Sequence, residues 1–104
     1  MSEVKRTYLK NGKIESECFE INGIKDGEQK MYYKNGQLGM IETYCNGIKH
    51  GICIGYYNHG EQLGMISFYN NGKLHGEQKM YYRNGKIQCI RNFIDNVLQS
   101  EHHF

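Results

Sequence analysis

Five histidines, four cysteines and eleven acidic residues are the groups from which this chain could build a metal site, a thiol nucleophile or a carboxylate pair. Their spacing argues against each. His50 and His75 stand at the same place in two copies of one pattern. Two strand spacings of about 4.8 Å would hold such equivalent residues about 10 Å apart. A single ion with ligand bonds of about 2 Å does not bridge that gap. A structural role in a turn is expected for both, and a frayed end for the adjacent pair His102 and His103. Cys18, Cys45, Cys53 and Cys89 show no Cys-x-x-Cys spacing and occupy different repeat positions, so they are expected to be reduced and mostly buried in a sheet. Glu28 and Glu77 share one strand position in separate copies, which does not make a poised pair. No Gly-x-Ser-x-Gly elbow is visible, and no glycine-rich loop opens a helix. No catalytic residue, metal or cofactor is therefore expected.

The tyrosines are more informative. Tyr32-Tyr33, Tyr56-Tyr57 and Tyr81-Tyr82 put one ring on each face of an extended strand in every copy. Gln29, Met31 and Tyr33 share one face, and Glu28, Lys30 and Tyr32 the other; the later copy repeats this with Gln78, Met80, Tyr82 against Glu77, Lys79, Tyr81. The methionine side reads as the sticky, packing face, carrying Tyr33, Tyr57 and Tyr82. The opposite side reads as charged, and on it Tyr32, Tyr56 and Tyr81 beside Lys30 and Lys79 form the expected contact row for a partner. Tyrosine suits that task because its ring gives large contact area at low entropy cost.

The elements that carry these rings follow from the turns. Asn-Gly recurs at 11–12, 22–23, 35–36, 46–47, 71–72 and 84–85, with His59-Gly60 in the vacant slot and Asp95-Asn96 last. The steps alternate near 11 and 13 residues, so the unit is 24 residues long with two turns and two strands. Asn-Gly favours the tight hairpin turn in which both central residues take positive φ. The segments between turns, such as 38–44 and 63–69, are rich in residues that fit a pleated sheet; the second follows an extra residue, Glu61, that a loop or bulge can absorb. The expected fold is all-β: a single-layer antiparallel meander of tandem hairpins, of seven or eight strands, in one domain over residues 1–104. Four units are expected, at about 7–31, 32–55, 56–80 and 81–104, with residues 1–7 preceding the first. The last unit closes the stack with either a short strand or a helical turn.

The pattern Asn-Gly-x-x-His-Gly, with a tyrosine and then a glycine nine residues on, resembles the MORN repeat. It is carried by Asn46, Gly47, His50, Gly51, Tyr57 and Gly60, and by Asn71, Gly72, His75, Gly76, Tyr82 and Gly85. An earlier copy has Asp26 in place of the histidine. The usual Tyr-x-Gly-x-aromatic run is replaced here by Gly39-Met40-Ile41-Glu42-Thr43-Tyr44, and the unit is longer by about one residue, which is closer to a bacterial variant that includes antitoxin-type proteins. The resemblance implies an elongated sheet of hairpins that binds other molecules and does no chemistry itself.

Composition narrows the partners. Apolar residues make up 38% of the 104 residues, below the roughly 45–50% usual for a globular domain. Thirteen glycines and no proline suit many tight turns joined by unbroken strands. A net charge of +2 does not by itself argue for nucleic acid or membrane. The first residues do not read as a signal peptide and no segment is apolar enough to span a bilayer, so a cytoplasmic protein is expected. The leading expectation is a non-catalytic protein-binding module of inhibitor, antitoxin or immunity type, blocking a larger partner such as a toxin or nuclease. The first alternative is a single-stranded nucleic-acid binder using tyrosine stacking and lysine–phosphate contacts. Glu28, Glu42, Glu61 and Glu77 interrupt that basic track. The second alternative is a lipid head-group binder, for which basic residues beyond Lys5, Arg6 and Lys10 are not clustered.

Overall fold

The computed structural model describes residues 1–58 and 62–104. The roles assigned above to His59, Gly60 and Glu61 lie outside the described residues.

Ten strands form one antiparallel sheet: β1 (Ser2–Tyr8), β2 (Ile14–Ile21), β3 (Ile24–Tyr32), β4 (Leu38–Cys45), β5 (Ile48–Tyr56), β6 (Leu63–Asn70), β7 (Lys73–Leu74), β8 (Gly76–Tyr81), β9 (Ile87–Ile94) and β10 (Val97–His103). Each pairs with its neighbour in sequence, and β7 and β8 both pair with β6 as two halves of one interrupted strand. The meander is as expected, with more strands than the seven or eight anticipated. The surplus comes from the split of β7 from β8 and from the ends: residues 2–8, ahead of the first unit, pair along β2, and the closing segment takes the strand of the two expected alternatives. The molecule measures 41 × 31 × 14 Å, and the 14 Å dimension leaves room for one layer with side chains on both sides. Among the described residues there is no helix long and apolar enough to cross a membrane.

The Asn-Gly pairs make two kinds of turn, which sit at opposite ends of the strands. At one end Asn22-Gly23, Asn46-Gly47 and Asn71-Gly72 have both residues at positive φ, as does Asp95-Asn96. These are the tight two-residue hairpins that the sequence predicts. At the other end only Gly12, Gly36 and Gly85 have positive φ. There the Gly36 N–H bonds back to the Tyr33 carbonyl at 2.9 Å, Tyr33 N–H bonds to the Gln37 carbonyl at 2.8 Å, and Asn35 Oδ1 accepts from Gln37 N–H. That loop is one residue longer. It differs because the asparagine side chain satisfies the chain two residues on and keeps its own backbone out of the left-handed region. The alternation of 11- and 13-residue steps reflects these two turns.

At the tight-turn end each hairpin is tied to the one before it. Gly47 N–H donates to the Lys25 carbonyl and Gly72 N–H to the Lys49 carbonyl, both at 2.7 Å. Beside these bonds, Asp26 Oδ1 accepts from Asn46 N–H at 3.2 Å and His50 Nδ1 from Asn71 N–H at 3.1 Å. His50 therefore has the turn role expected of it, while the His75 ring stands 3.8 Å from Asp95 Oδ1 in the last turn. The presence of aspartate in its place at 26 is explained: either side chain offers an acceptor to the next turn.

Candidate interaction surface

Cross-strand partners share a face, so the register sorts the side chains. One face carries the ladder Lys5–Cys18–Gln29–Glu42–Cys53–Ser67, read across β1 to β6. Gln78 Nε2 extends it by donating to Ser67 Oγ at 3.0 Å, and Arg91 and Glu101 complete it. Next to it run Met31, Met40, Gly55, Met65, Met80 and Cys89. Cys18, Glu42, Cys53, Ser67 and Cys89, the buried residues among those described, all belong to this cysteine face.

The arrangement is a polar network with thioethers around it. Glu42 is 8% exposed and pairs with Lys49 Nζ at 2.6 Å, while Tyr44 Oη donates to its other oxygen at 3.3 Å. The bond from Glu42 holds the Lys49 ammonium above its ordinary pKa. Burial pushes the Cys18 thiol up, and burial together with Glu42 does so for Cys53. A raised thiol pKa disfavours the thiolate and makes both poor nucleophiles. Cys45, near a tight turn, is the exposed cysteine. Lys25 lies over the Tyr44 ring at 4.9 Å, and one repeat later Lys49 lies over Tyr69 at 5.1 Å.

Tyr33 and Tyr57 belong to this face and hold consecutive hairpins together. Tyr33 Oη donates to the Tyr56 carbonyl at 2.6 Å, and Tyr57 Oη to the Tyr81 carbonyl at 2.5 Å. Each ring crosses a glycine of the strand beside it. A Cβ on Gly39 would stand 3.1 Å from the Tyr33 ring, and one on Gly64 3.5 Å from Tyr57. Tyr82, last of the set, is 43% exposed.

The opposite face carries the ladder Arg6–Glu17–Lys30–Ile41–Ile54–Ile66–Lys79–Ile90–His102 across all nine strand positions. Its centre is three isoleucines, half-buried and covered by no other layer among the described residues, with a lysine at each side. Beside the trio, Tyr56 pairs with Leu63 and Ile52 with Phe68. Tyr32 pairs with Leu38 and Tyr81 with Ile87 in the same manner. Tyr32, Tyr56, Tyr81, Lys30 and Lys79 are thus brought onto one face, all half-buried.

One expectation is corrected. The Lys30 face is not simply charged, and the methionine face is not simply sticky. The earlier reading rested on β3 and β8 alone. The intervening strands β4, β5 and β6 place Ile41, Ile54 and Ile66 on the lysine side, and Glu42, Cys53 and Ser67 on the methionine side. A signal was available: Ile41 and Ile66 occupy the same place in the matching runs Leu-Gly-Met-Ile. The Lys25–Tyr44 and Lys49–Tyr69 stacks also recur at close to repeat spacing, a second signal that the sequence carries.

Residues 25–46 and 74–95 each match the family model described as the MORN repeat variant. These two segments are MORN repeats of the variant type. Each matched segment runs from just after one tight turn, up one strand, round the longer loop and down the next strand to the following turn. Between them, β5 and β6 repeat the same pairing, so the isoleucine trio lies where one MORN hairpin meets the next. No curated protein matches the chain.

Proposed function

We propose that this MORN-repeat chain is a non-catalytic protein-interaction module, of inhibitor or antitoxin type, that covers a larger protein partner with its isoleucine face. The observation that carries the reading is the ladder Ile41–Ile54–Ile66, aliphatic and half-exposed at the middle of an open sheet. An uncovered apolar patch rimmed by polar groups is the usual composition of a protein-binding surface. Tyr56, Leu63, Ile52 and Phe68 widen the patch; Lys30 and Lys79 rim it. The same geometry disfavours a nucleic-acid track, because the two lysines stand four strand spacings, about 19 Å, apart with isoleucine between them.

The experiment is affinity capture of the partner, then calorimetry of that partner against variants. Tyr56→Ala should weaken binding at least about tenfold, the effect of losing one aromatic hot spot, while moving the melting temperature little. Ile54→Asp should abolish binding by burying an unpaired charge. Unchanged affinity in both would refute the assignment. A salt-sensitive complex with an oligonucleotide, in the absence of any protein complex, would replace it with the single-stranded nucleic-acid reading.

A further inference from the structure

The hairpin β9–β10 brings a thiol, a carboxylate and an imidazole together on the cysteine face. Cys89 and His103 are direct cross-strand partners, and Glu101 lies one alternation before His103, opposite Arg91. One ligand atom from each of Cys89, Glu101 and His103 lies within 4.8 Å of the others. His103 Nε2 and Glu101 Oε1 are 2.5 Å apart. The second carboxylate oxygen, Oε2, accepts from Arg91 Nε at 2.6 Å, which holds the carboxylate with Oε1 toward the imidazole. The closing strand is held in place to its end, because Phe104 N–H bonds to the Gln88 carbonyl at 3.0 Å. This overturns the frayed end expected for His102 and His103.

We propose that Cys89, Glu101 and His103 form a binding site for a divalent cation of the zinc class. Ligand atoms around a tetrahedral zinc ion stand about 3.5 Å apart, given bonds of about 2.0–2.3 Å. The widest gap, at most 4.8 Å, therefore closes by about 1 Å, while His103 Nε2 and Glu101 Oε1 open by about 1 Å from 2.5 Å. A mixed sulfur, nitrogen and oxygen set selects zinc or cobalt over magnesium and calcium, which take oxygen alone. Thiolate and carboxylate together balance the charge of the ion, so Arg91 keeps its partner, Glu101. Arg91 has the position of an outer residue that orients a ligating carboxylate. Binding displaces the Cys89 thiol proton and breaks the His103 Nε2–Glu101 Oε1 hydrogen bond, whose proton leaves those two atoms as they turn to the ion. Three protein ligands leave a fourth position for water or for a donor from another molecule. A cross-strand site in one hairpin would also lock β10 onto the sheet, where the edge is otherwise free.

Cobalt(II) and zinc(II) alone are the probes, with the full chain. Cobalt should bind with one-to-one stoichiometry and give the near-ultraviolet thiolate-to-metal absorption, which zinc then bleaches. Cys89→Ser should abolish that band, and Cys45→Ser, altering the exposed thiol near a tight turn, should leave it. His103→Ala should weaken cobalt binding at least about tenfold, since even outer-shell changes cost that much. His103 is exposed, so this variant keeps the sheet, checked by circular dichroism, and decides the matter if Cys89→Ser fails to fold. No thiolate band at saturating cobalt, a band that follows Cys45, or full affinity in His103→Ala would overturn the site.

Discussion

The two faces of this sheet have opposite logic. On the cysteine face the central ladder is polar, yet it contains four of the five buried residues among those described, because thioethers, Tyr33 and Tyr57 lie alongside it and its polar atoms bond one another. On the other face the central ladder is aliphatic and remains half-exposed, because no second layer among the described residues crosses it. In a two-layer protein the aliphatic side would be inside. Here the chain satisfies its polar side by itself and leaves its apolar side half-exposed. The proposed function divides stability and recognition between these faces, and gives adjacent tyrosines in one sequence pair different jobs.

That division can be broken by substitution. The largest effect is expected from Tyr57→Ala, which removes a ring packed on Gly64 and the hydroxyl bond to the Tyr81 carbonyl. A loss of about 3 kcal/mol, at the low end for aromatic truncation, should appear in urea denaturation. Tyr56→Ala, one residue away on the other face, should cost much less. Equal losses for the two would mean that the faces do not divide the work.

A smaller effect tests the tight-turn end. Gly47 has φ +83, and a Cβ there would stand 3.3 Å from Ile24 Cγ2. Gly47→Val should destabilise by about 1–3 kcal/mol through left-handed strain alone. The same change at Gly12, with nothing within 4 Å of its Cβ position but the same sign of φ, isolates the strain from the contact. Melting of Gly47→Val at the parent temperature would remove the turn assignment.

The smallest effect concerns the link between hairpins. His50→Leu removes the acceptor of the Asn71 N–H and should cost about 1 kcal/mol. His50→Asp restores an acceptor, as Asp26 provides one for Asn46, and should melt close to the parent. If leucine and aspartate at 50 melt alike, the histidine is not tying the repeats.

Much of this was legible in the sequence. Turn positions, strand order and the single layer follow from Asn-Gly spacing and the 24-residue period, since a turn's φ requirement is local. The grouping of Tyr32, Tyr56 and Tyr81 on one face follows from alternation within a strand. What alternation within one strand does not supply is the register of its neighbours. Ile41 and Ile54 oppose each other only because a register shift between Glu42 and Tyr44 absorbs extra residues near the tight turn. The shift at Tyr32–Leu38 likewise sets Gly39 beneath Tyr33. The Cys89–Glu101–His103 cluster was hidden for the same reason: it depends on pairing across a hairpin that the sequence left open between strand and helical turn.

The central claim is that a partner sits on the isoleucine face. It is tested most directly by placing a photo-reactive aromatic residue at position 56 in one protein and at position 57 in another, and cross-linking each to the captured partner. The division of faces predicts a strong cross-link from position 56 and little from position 57. Cross-linking from 57 with none from 56 would put the partner on the cysteine face and contradict the account.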